Sequence, residues 1–442
     1  MQYQFRTSLR WLVAVSSFAI SAGFLSGQPY TFNTFVGSAT NAGYADGTNA
    51  DAQFIAPTGL GADSSGTLYV ADGNRLRSVS VSGTNRIVHT LAGTISHFFA
   101  DGTNTAARFN APQGVAVDAA GNLYIADTLN NAIRKATPVG TNWVITTIAG
   151  PPPPALAPES GSADGTNNVA RFDNPYGIAV DAATNVYVAD TLNHTIRKIS
   201  LFGADWVVTT IAGLAGTNGA ANGSNTVARF NSPSSIAVGA SGVLYVTDLG
   251  NNTIRQINRF GTNWAVSTLA GTAGVIGSAD GTGAAASFNL PQCIAVDSAQ
   301  NLFVTDSLNY TIRKITQNGV VSTVAGNPGM PGATDGTGTS ARFMQPFGIV
   351  VNSGGVLFVA DYAGYAIRQG QLAVLGWSAS GKNFVLSWSA GLAGFFPERA
   401  GQIGGPWTPL PTNGVVLSGQ TFYLTNAIAS SNAWYRLYQT AP

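Results

Sequence analysis

The chain has 442 residues, of which 45% are hydrophobic and 9% charged, and its net charge is +1. This near-neutral balance excludes a general electrostatic attraction to nucleic acid or to anionic membranes. Glutamate and lysine are rare whereas Val, Ile, Thr and aromatic residues are plentiful, and this composition is typical of all-β proteins.

The first predicted element is a targeting segment. Arg6 and Arg10 precede an apolar stretch from residue 11 to residue 20, and small residues follow at 21–23. The order basic, apolar, small is typical of a secretory signal peptide, and the apolar run is short for a membrane span. We therefore predict a signal peptide over residues 1–27 and a secreted or envelope location, with the bacterial periplasm or cell surface favoured. The alternative is retention of the segment as an anchor; after its removal no membrane span is expected.

Six copies of one unit fill most of the remaining chain. Each copy has variants of P-x-G-I-A-V-D, N-L-Y-V-A-D and N-x-T-I-R-K, and the prolines that open them are Pro57, Pro112, Pro175, Pro233, Pro291 and Pro346. In the second copy, four predicted strands begin near Gly114, Leu123, Ile133 and Trp143. Four antiparallel strands repeated six times predict an all-β fold, with a six-bladed β-propeller over residues 28–370.

The ends of the array predict how the ring closes. The sixth copy has its first three strands but lacks the T-x-A-G strand that ends the other copies. A matching strand stands before the first copy at residues 30–37, where the pattern resembles that of residues 320–326. We expect this N-terminal strand to complete the last blade, because that arrangement leaves no open sheet edge.

These motifs resemble the NHL-repeat propellers, especially those of extracellular teneurin-like proteins and of bacterial secreted proteins. The resemblance covers roughly residues 30–370 and depends on G-I-A-V-D, N-L-Y-I-A-D-T-L-N-N, I-R-K and the linking A-D-G-T-x-x-x-A-R-F-x-x-P. It implies a propeller fold. It does not fix the function, since the family includes binding scaffolds, sensor domains and a few enzymes.

One face of the propeller is the natural place for a ligand. The fourth-to-first and second-to-third connections both emerge there, and long loops that converge on a central channel commonly bind ligands. The ligand-face candidates are Arg108, Arg171, Arg229, Arg342, Asn131, His194, Asn252 and Tyr310. The four arginines could form a ring for anionic groups. Alternatively the aspartates of the neighbouring D-G-T loops neutralise them, which is the interpretation we favour.

Most other polar residues are explained by the repeat itself. An Asp ends every second strand and an Arg stands in every third strand, so we expect the Arg to make a recurring contact either with that Asp or with a neighbouring blade. Cys293 stands in a column of small residues on the innermost strand, so we expect a structural role. The three histidines occupy different blade positions without zinc-ligand spacing. No metal, cofactor or catalytic residue is predicted.

Residues 371–442 differ from the repeat. Short alternating strands separated by Gly, Pro and Asn predict a small β-sandwich of roughly seven strands. The patterns L-S-W-S, G-P-W-T-P-L and W-Y-R-L look like C-terminal modules of secreted bacterial proteins.

These features favour a non-enzymatic extracellular or envelope protein that presents the loop-lined propeller face to a protein, peptide or glycan. Binding of nucleic acid is not expected. The alternative is a metal-dependent propeller enzyme of the lactonase or lyase type, which would require an asymmetric cluster of non-repeat polar residues at the channel mouth.

Overall fold

A computed structural model describes residues 13–14, 30–153, 159–372, 376–380, 383–389, 395–400, 408–411, 415–418, 421–427 and 434–439. The chain forms two compact units, one of residues 34–370 and one of residues 1–33 with 371–442. No helix among the described residues is both long and apolar enough to cross a membrane.

Residues 34–370, together with the strand residues 30–33 and 371–372, form a six-bladed β-propeller in which each blade is an antiparallel sheet of five strands. From the outside inward, the order is a short outer strand, then the fourth, third, second and first strands. The sequence predicted four strands per blade. The additional outer strand is the Gly-Thr or Gly-Ser dipeptide of the D-G-T loop, which folds back onto the fourth strand of its own blade.

The strand bounds, from the outer strand and then first to fourth, show how closely the blades agree. Blade 1 comprises Gly47–Thr48, Pro57–Ala62, Leu68–Asp72, Arg75–Ser82 and Asn85–Gly93; blade 2, Gly102–Thr103, Pro112–Val117, Leu123–Asp127, Ala132–Val139 and Asn142–Ala149. Blade 3 comprises Gly165–Thr166, Pro175–Val180, Val186–Asp190, Thr195–Phe202 and Asp205–Ala212; blade 4, Gly223–Ser224, Pro233–Val238, Leu244–Asp248, Thr253–Phe260 and Asn263–Ala270. Blade 5 comprises Gly281–Thr282, Pro291–Val296, Leu302–Asp306, Thr311–Ile315 and Val320–Gly326; blade 6, Gly336–Thr337, Pro346–Val351, Leu357–Asp361, Ala366–Leu372 and Tyr30–Gly37.

Short 3-10 helices lie in the connections. One set follows the outer strands: Asn49–Asp51, Asn104–Ala106, Asn167–Val169, Asn225–Val227, Gly283–Ala285 and Gly338–Ser340. A second set joins second strands to third strands: Thr128–Asn130, Leu249–Asn251, Ser307–Asn309 and Tyr362–Gly364. One more, Ala240–Gly242, lies between the first and second strands of blade 4.

The ring closes through the N-terminal strand, as predicted. Tyr30–Gly37 lies between the third strand and the short outer strand of blade 6, where it takes the place of a fourth strand. Thr34 donates a hydrogen bond to Asp335 of the D-G-T loop at 3.1 Å. The Phe35 ring packs edge-on against Phe358 of the second strand at 5.0 Å. The N-terminal strand and the sixth repeat therefore form one blade.

The hydrophobic core lies between neighbouring blades. Tyr124 of blade 2 packs edge-on against Trp206 of blade 3 with ring centroids 6.1 Å apart, and equivalent pairs join blades 1 and 2 and blades 3 and 4. The second strands are buried along their whole length. Their continuous apolar runs are explained by burial on both faces, since each sheet is covered by a blade on either side.

A buried ionic network fixes each blade, and the predicted Asp–Arg contact is confirmed. In blade 2, Arg134 donates to Asp127 at the end of the second strand and to Asp101 of the D-G-T loop, at 2.5 and 2.8 Å. Its guanidinium also lies over the ring of Phe109, 5.1 Å from the centroid. Asp101 in turn accepts from Thr147 of the fourth strand. One arginine thus ties the second strand, the loop and the outer edge together.

The innermost strands come so close that four of the six blades have glycine at the second position after the proline. A side chain at Gly59, Gly114 or Gly348 would collide with the backbone of the neighbouring blade. Blades 4 and 5 accept Ser235 and Cys293 at this position. The prediction of a structural, small-residue position for Cys293 agrees with this geometry.

Replacing Gly348 with alanine is expected to destabilise the propeller by about 1–3 kcal/mol, because the new methyl group would collide with the Thr58 carbonyl of blade 1. Gly354→Ala is the control: its nearest neighbour would be Asn352 Oδ1 at 3.4 Å, which is ordinary contact. Urea unfolding of both variants measures the difference. Equal stabilities would contradict the close approach of the inner strands.

The smaller unit contains two antiparallel sheets. One contains Gly376–Ser380, Asn383–Ser389, Thr421–Ala427 and Val415–Ser418; the other contains Val13–Ala14, Trp434–Gln439, Phe395–Ala400 and Thr408–Pro409. Residues 371–442 thus supply seven described strands, the number predicted. Apart from Val13–Ala14, the predicted signal segment 1–27 lies outside the described residues.

Candidate functional site

The four predicted loop arginines are held by their own turns. Arg171 donates to the carbonyls of Asn168 and Ala170 at 2.6 and 2.9 Å, and its ion pair to Glu159 is long, at 3.4 Å. Arg108, Arg229 and Arg342 bond the equivalent carbonyls in blades 2, 4 and 6. None of the four lines the central channel. A contact between these arginines and a ligand stays a prediction.

The interpretation that D-G-T aspartates neutralise these arginines is wrong. Asp101, Asp164 and Asp335 pair instead with the buried arginines of the third strands. The reason is geometric: the D-G-T segment folds onto the outer edge of its blade, where its carboxylate meets the end of the third-strand side chain.

Three of the other predicted residues join neighbouring blades. Asn131, His194 and Asn252 all have left-handed backbone conformation. Their side chains accept hydrogen bonds from the backbone amides of Asn174, Ser232 and Leu290 in the next blade, at 3.0, 3.0 and 2.9 Å. The turn therefore contributes to the contact between blades. Tyr310 has the same backbone conformation in blade 5, and its contact with a ligand stays a prediction.

His194 makes this contact dependent on pH. Its Nδ1 must be unprotonated to accept from Ser232, and burial lowers the pKa below the ordinary 6.5, although Asp173 opposes the shift. A lowered pKa means that the stabilisation is complete above pH 6.5 and is lost as the pH falls toward the folded-state pKa. Wild type should therefore lose stability relative to His194→Asn below pH 6.5, because Asn accepts at any pH, as it does at 131 and 252. Urea unfolding of both proteins at pH 7.5 and 5.5 tests this, and a constant difference would contradict it.

The channel wall is built from the same three positions of all six first strands. Each blade contributes the three residues after its proline, and together they surround a cavity of about 70 Å³ that is open to solvent. This volume is smaller than that of a typical small-molecule site, about 300–1,000 Å³, so a ligand would bind at the open mouth of the channel. The first of the three positions, which we call the mouth position because it begins the strand at the loop face, is the most varied. Its occupants are Thr58, Gln113, Tyr176, Ser234, Gln292 and Phe347.

Aromatic side chains from opposite blades meet across the channel axis. The rings of Tyr176 in blade 3 and Phe347 in blade 6 lie 6.2 Å apart. Phe347 also stacks on Tyr362, which follows the second strand of blade 6, with centroids 5.1 Å apart and planes inclined by 29°. These three residues, with Gln113 and Gln292 at the mouth position, form the cluster that we call the channel-mouth cluster. None of the other five blades has aromatic residues at both the mouth position and the position after the second strand, so the cluster makes the ring asymmetric.

Comparison with known proteins agrees with this architecture. A family model described as NHL repeat matches residues 109–135 and 230–257, each running from the loop phenylalanine into the third strand. The chain thus contains NHL repeats within a six-bladed β-propeller. Teneurin-3 of Mus musculus is 26% identical over 48% of this chain and 8% of its own length. NHL repeat-containing protein 2 of Gallus gallus is 26% identical over 68% of this chain and 44% of its own.

A solved structure shows the same fold. An auxiliary nutrient binding protein from Bacteroides thetaiotaomicron superposes with a TM-score of 0.58 at 18% identity, covering 79% of this chain and 78% of that one. The chain spans less than half of the length of the two curated relatives, so their whole-protein activities are not transferred to it.

The variation at the mouth position is explained by a hydrogen bond that joins neighbouring blades. At five of the six blade interfaces, a hydroxyl donates to the carbonyl of the next blade's opening proline. In blades 2, 3 and 5 the donor follows the second strand: Thr128, Thr191 and Ser307. In blades 1 and 4 that place holds Gly73 and Leu249, and the mouth residue donates instead: Thr58 and Ser234. Blade 6 has Tyr362 and Phe347 at the two places.

We call this pattern the hydroxyl rule: the mouth residue donates to the next blade only where the residue after the second strand does not. The rule separates mouth residues with a structural role from the others. Thr58 and Ser234 hold neighbouring blades together. Gln113, Tyr176 and Gln292 lie in blades where the residue after the second strand donates that bond instead. Phe347, in blade 6, has no hydroxyl group to donate. The size and polarity of these four side chains are therefore not required for the ring. Buried Oε1 of Gln113 accepts no hydrogen bond from the described residues, so this group is available to a ligand.

The channel-mouth cluster is uncharged. No Asp, Glu, Lys, Arg or His lines the cavity. Burial raises the pKa of Tyr176 well above its ordinary value, with Cys293 and Tyr362 adding to the effect. Burial also raises the pKa of the Cys293 thiol, against the Ser235 hydroxyl that donates to it. At neutral pH these groups carry no charge, and Cys293 lacks the electropositive surroundings of a nucleophile.

Sequence reasoning missed the channel-mouth cluster. The signal was present in the column after the opening proline, where a nearly constant motif contains Thr, Gln, Tyr, Ser, Gln and Phe in turn. This position varies among the six copies although the motif around it repeats closely, which indicates that each blade can change it independently.

Proposed function

We propose that this NHL propeller is a non-enzymatic binding protein that receives a protein, peptide or glycan at the mouth of its central channel. The observation that carries the proposal is the channel-mouth cluster, an asymmetric set of uncharged side chains at a cavity. Under the hydroxyl rule, these side chains are not needed for the hydrogen bonds that join neighbouring blades. Cavities with aromatic walls and a few polar groups are the usual form of a ligand site.

Exposed apolar side chains around the channel mouth support the same face. Leu129, Leu192 and Leu308 project from the second-to-third turns of blades 2, 3 and 5, and their exposed fractions are 50%, 47% and 39%. Exposed apolar groups on the loop face can contact a partner.

A location outside the cytoplasm fits the order of residues at the N-terminus and the bacterial nutrient-binding proteins that share the fold. The alternative function, a metal-dependent lactonase or lyase, has less support. Among the described residues, no three His, Cys, Asp or Glu side chains come together in a metal-binding arrangement.

A binding screen with two matched variants tests the proposed function. The purified protein is screened against a panel of peptides and glycans, and each hit is measured again with Leu192→Glu and Phe202→Glu. Both positions are exposed in blade 3, but Phe202 ends the third strand on the opposite face. We expect Leu192→Glu alone to weaken binding, by about tenfold. Absence of any hit, or loss only with Phe202→Glu, would overturn the proposal.

A further inference from the structure

The channel-mouth cluster defines the chemistry of its ligand, and the inference drawn from it rests on the proposed function. The cavity offers amides from Gln113 and Gln292 and aromatic rings from Tyr176 and Phe347, and Tyr362 extends this aromatic surface by stacking on Phe347. An ionised ligand would lose its hydration in this cavity without meeting a counter-charge, which is costly. The ligand must therefore be neutral.

The ligand must also be polar on its edges. Gln113 Oε1 is buried without a hydrogen-bond donor among the described residues, and a bound donor would satisfy it. Gln292, on the opposite side of the ring in blade 5, is 8% exposed and presents a second amide to the cavity. Amides both donate and accept, so two of them suit a ligand that carries several hydroxyl groups.

The aromatic rings require an apolar face on the same ligand. Phe347 and Tyr362 are stacked within 29° of parallel, and Tyr176 reaches Phe347 across the axis. This contact crosses the channel axis, so the rings form a surface on which a ligand can lie. A flat molecule with one apolar face and hydroxyl groups around its edge matches both requirements.

We propose that the channel mouth binds a neutral saccharide, with one sugar ring lying on the Tyr176–Phe347–Tyr362 surface and its hydroxyl groups bonded to Gln113 and Gln292. A peptide fits less well, because the cavity is compact, has no charged group for a terminus or ionised side chain, and is not an extended groove.

Two substitutions remove the proposed contacts without disturbing the ring. Tyr362→Thr places at blade 6 the residue that blades 2 and 3 have after the second strand, at Thr128 and Thr191, so it is expected to fold. Gln113→Leu keeps the size of the side chain and removes its amide. The control is Gln317→Leu, an exposed glutamine in the third-to-fourth turn of blade 5, on the opposite face.

The experiment is calorimetric titration of the full-length protein with glucose, galactose, N-acetylglucosamine, maltose and cellobiose, together with glucuronic acid and an apolar peptide. We expect at least one neutral sugar to bind, with affinity reduced by about tenfold or more in Gln113→Leu and in Tyr362→Thr, and unchanged in Gln317→Leu. Circular dichroism shows whether each variant is folded.

The outcomes separate this inference from the proposed function. Sugar binding that both variants leave unchanged would overturn the channel-mouth assignment, as would binding of glucuronic acid in preference to every neutral sugar. Binding of the peptide without any sugar would overturn the saccharide class while leaving a binding function. If neither sugars nor peptides bind in the wider screen, the proposed function fails as well.

Discussion

Replacing Arg197 with alanine is expected to destabilise the propeller by about 3–5 kcal/mol, because the Asp190 carboxylate would remain buried without its partner. Both side chains are fully buried, and Arg197 Nη1 lies 2.6 Å from Asp190. The same guanidinium bonds Asp164 and two loop carbonyls and covers the Phe172 ring, so several contacts are lost together.

Arg171→Ala is the matched control in the same blade. Its side chain is 25% exposed and its ion pair to Glu159 is at the surface, so the change is expected to cost about 1 kcal/mol or less. Urea unfolding at pH 7.5 compares the two variants. Similar losses would contradict the view that the buried network, and not arginine in general, holds the blade.

The pH dependence of Arg197→Ala provides a second readout. Burial raises the pKa of Asp190 to about 6 even beside Arg197, and removal of the positive charge raises it further. A raised carboxyl pKa means that stability is greatest below the unfolded value of 3.8 and is lost as the pH rises through the folded-state pKa. The difference in stability between wild type and Arg197→Ala should therefore become smaller as the pH is lowered from 7.5 toward 5.

Deletion of residues 28–37 is expected to abolish cooperative unfolding of the propeller at 25 °C. The deletion removes the fourth strand of blade 6 and exposes two sheet edges, on the third strand and on the Gly336–Thr337 strand. Each lost backbone hydrogen bond costs about 1 kcal/mol, and the buried side chains of Phe35 and Val36 each contribute about 1.5–3 kcal/mol. The total is comparable with the whole stability of a typical domain, about 5–15 kcal/mol.

A replacement variant distinguishes loss of the strand from loss of its particular residues. Residues 31–37 are exchanged for the sequence of residues 320–326, which forms the fourth strand of blade 5. Because the two strands occupy equivalent places, we expect most of the stability to return, apart from the contributions of Phe32 and Phe35, which valines replace. Differential scanning calorimetry measures all three proteins. A sharp, unchanged transition in the deletion variant would refute closure by this strand.

The repeat made much of the fold predictable from the sequence. Six blades, their strand order, closure by residues 30–37 and the contact between Asp127 and Arg134 all depend on patterns that recur, so each copy reinforces the others. The fifth strand was missed because a two-residue strand such as Gly102–Thr103 has no periodicity to detect. Its existence depends on tertiary contact with the fourth strand.

The site was less predictable for a physical reason. Tyr176 and Phe347 are 171 positions apart in the chain, and only the closed ring of blades brings their rings within 6.2 Å. Candidates such as Asn131 and His194 were found on the expected face, but their side chains bond the adjacent blade. A turn that looks ready for a ligand can instead be satisfied by a neighbour that is distant in sequence.

The alternating hydroxyl donors also have an evolutionary consequence. Once a threonine or serine follows the second strand, as Thr128 and Thr191 do, the mouth position of that blade can mutate without weakening the joint to the next blade. New recognition properties could then accumulate one blade at a time, in any combination, while the frame stays the same. Replacement of Leu249 by threonine would extend this freedom to Ser234, because Leu249 lies in the same short helix as Thr128 does in blade 2, which makes the scaffold a candidate for combinatorial libraries of channel mouths.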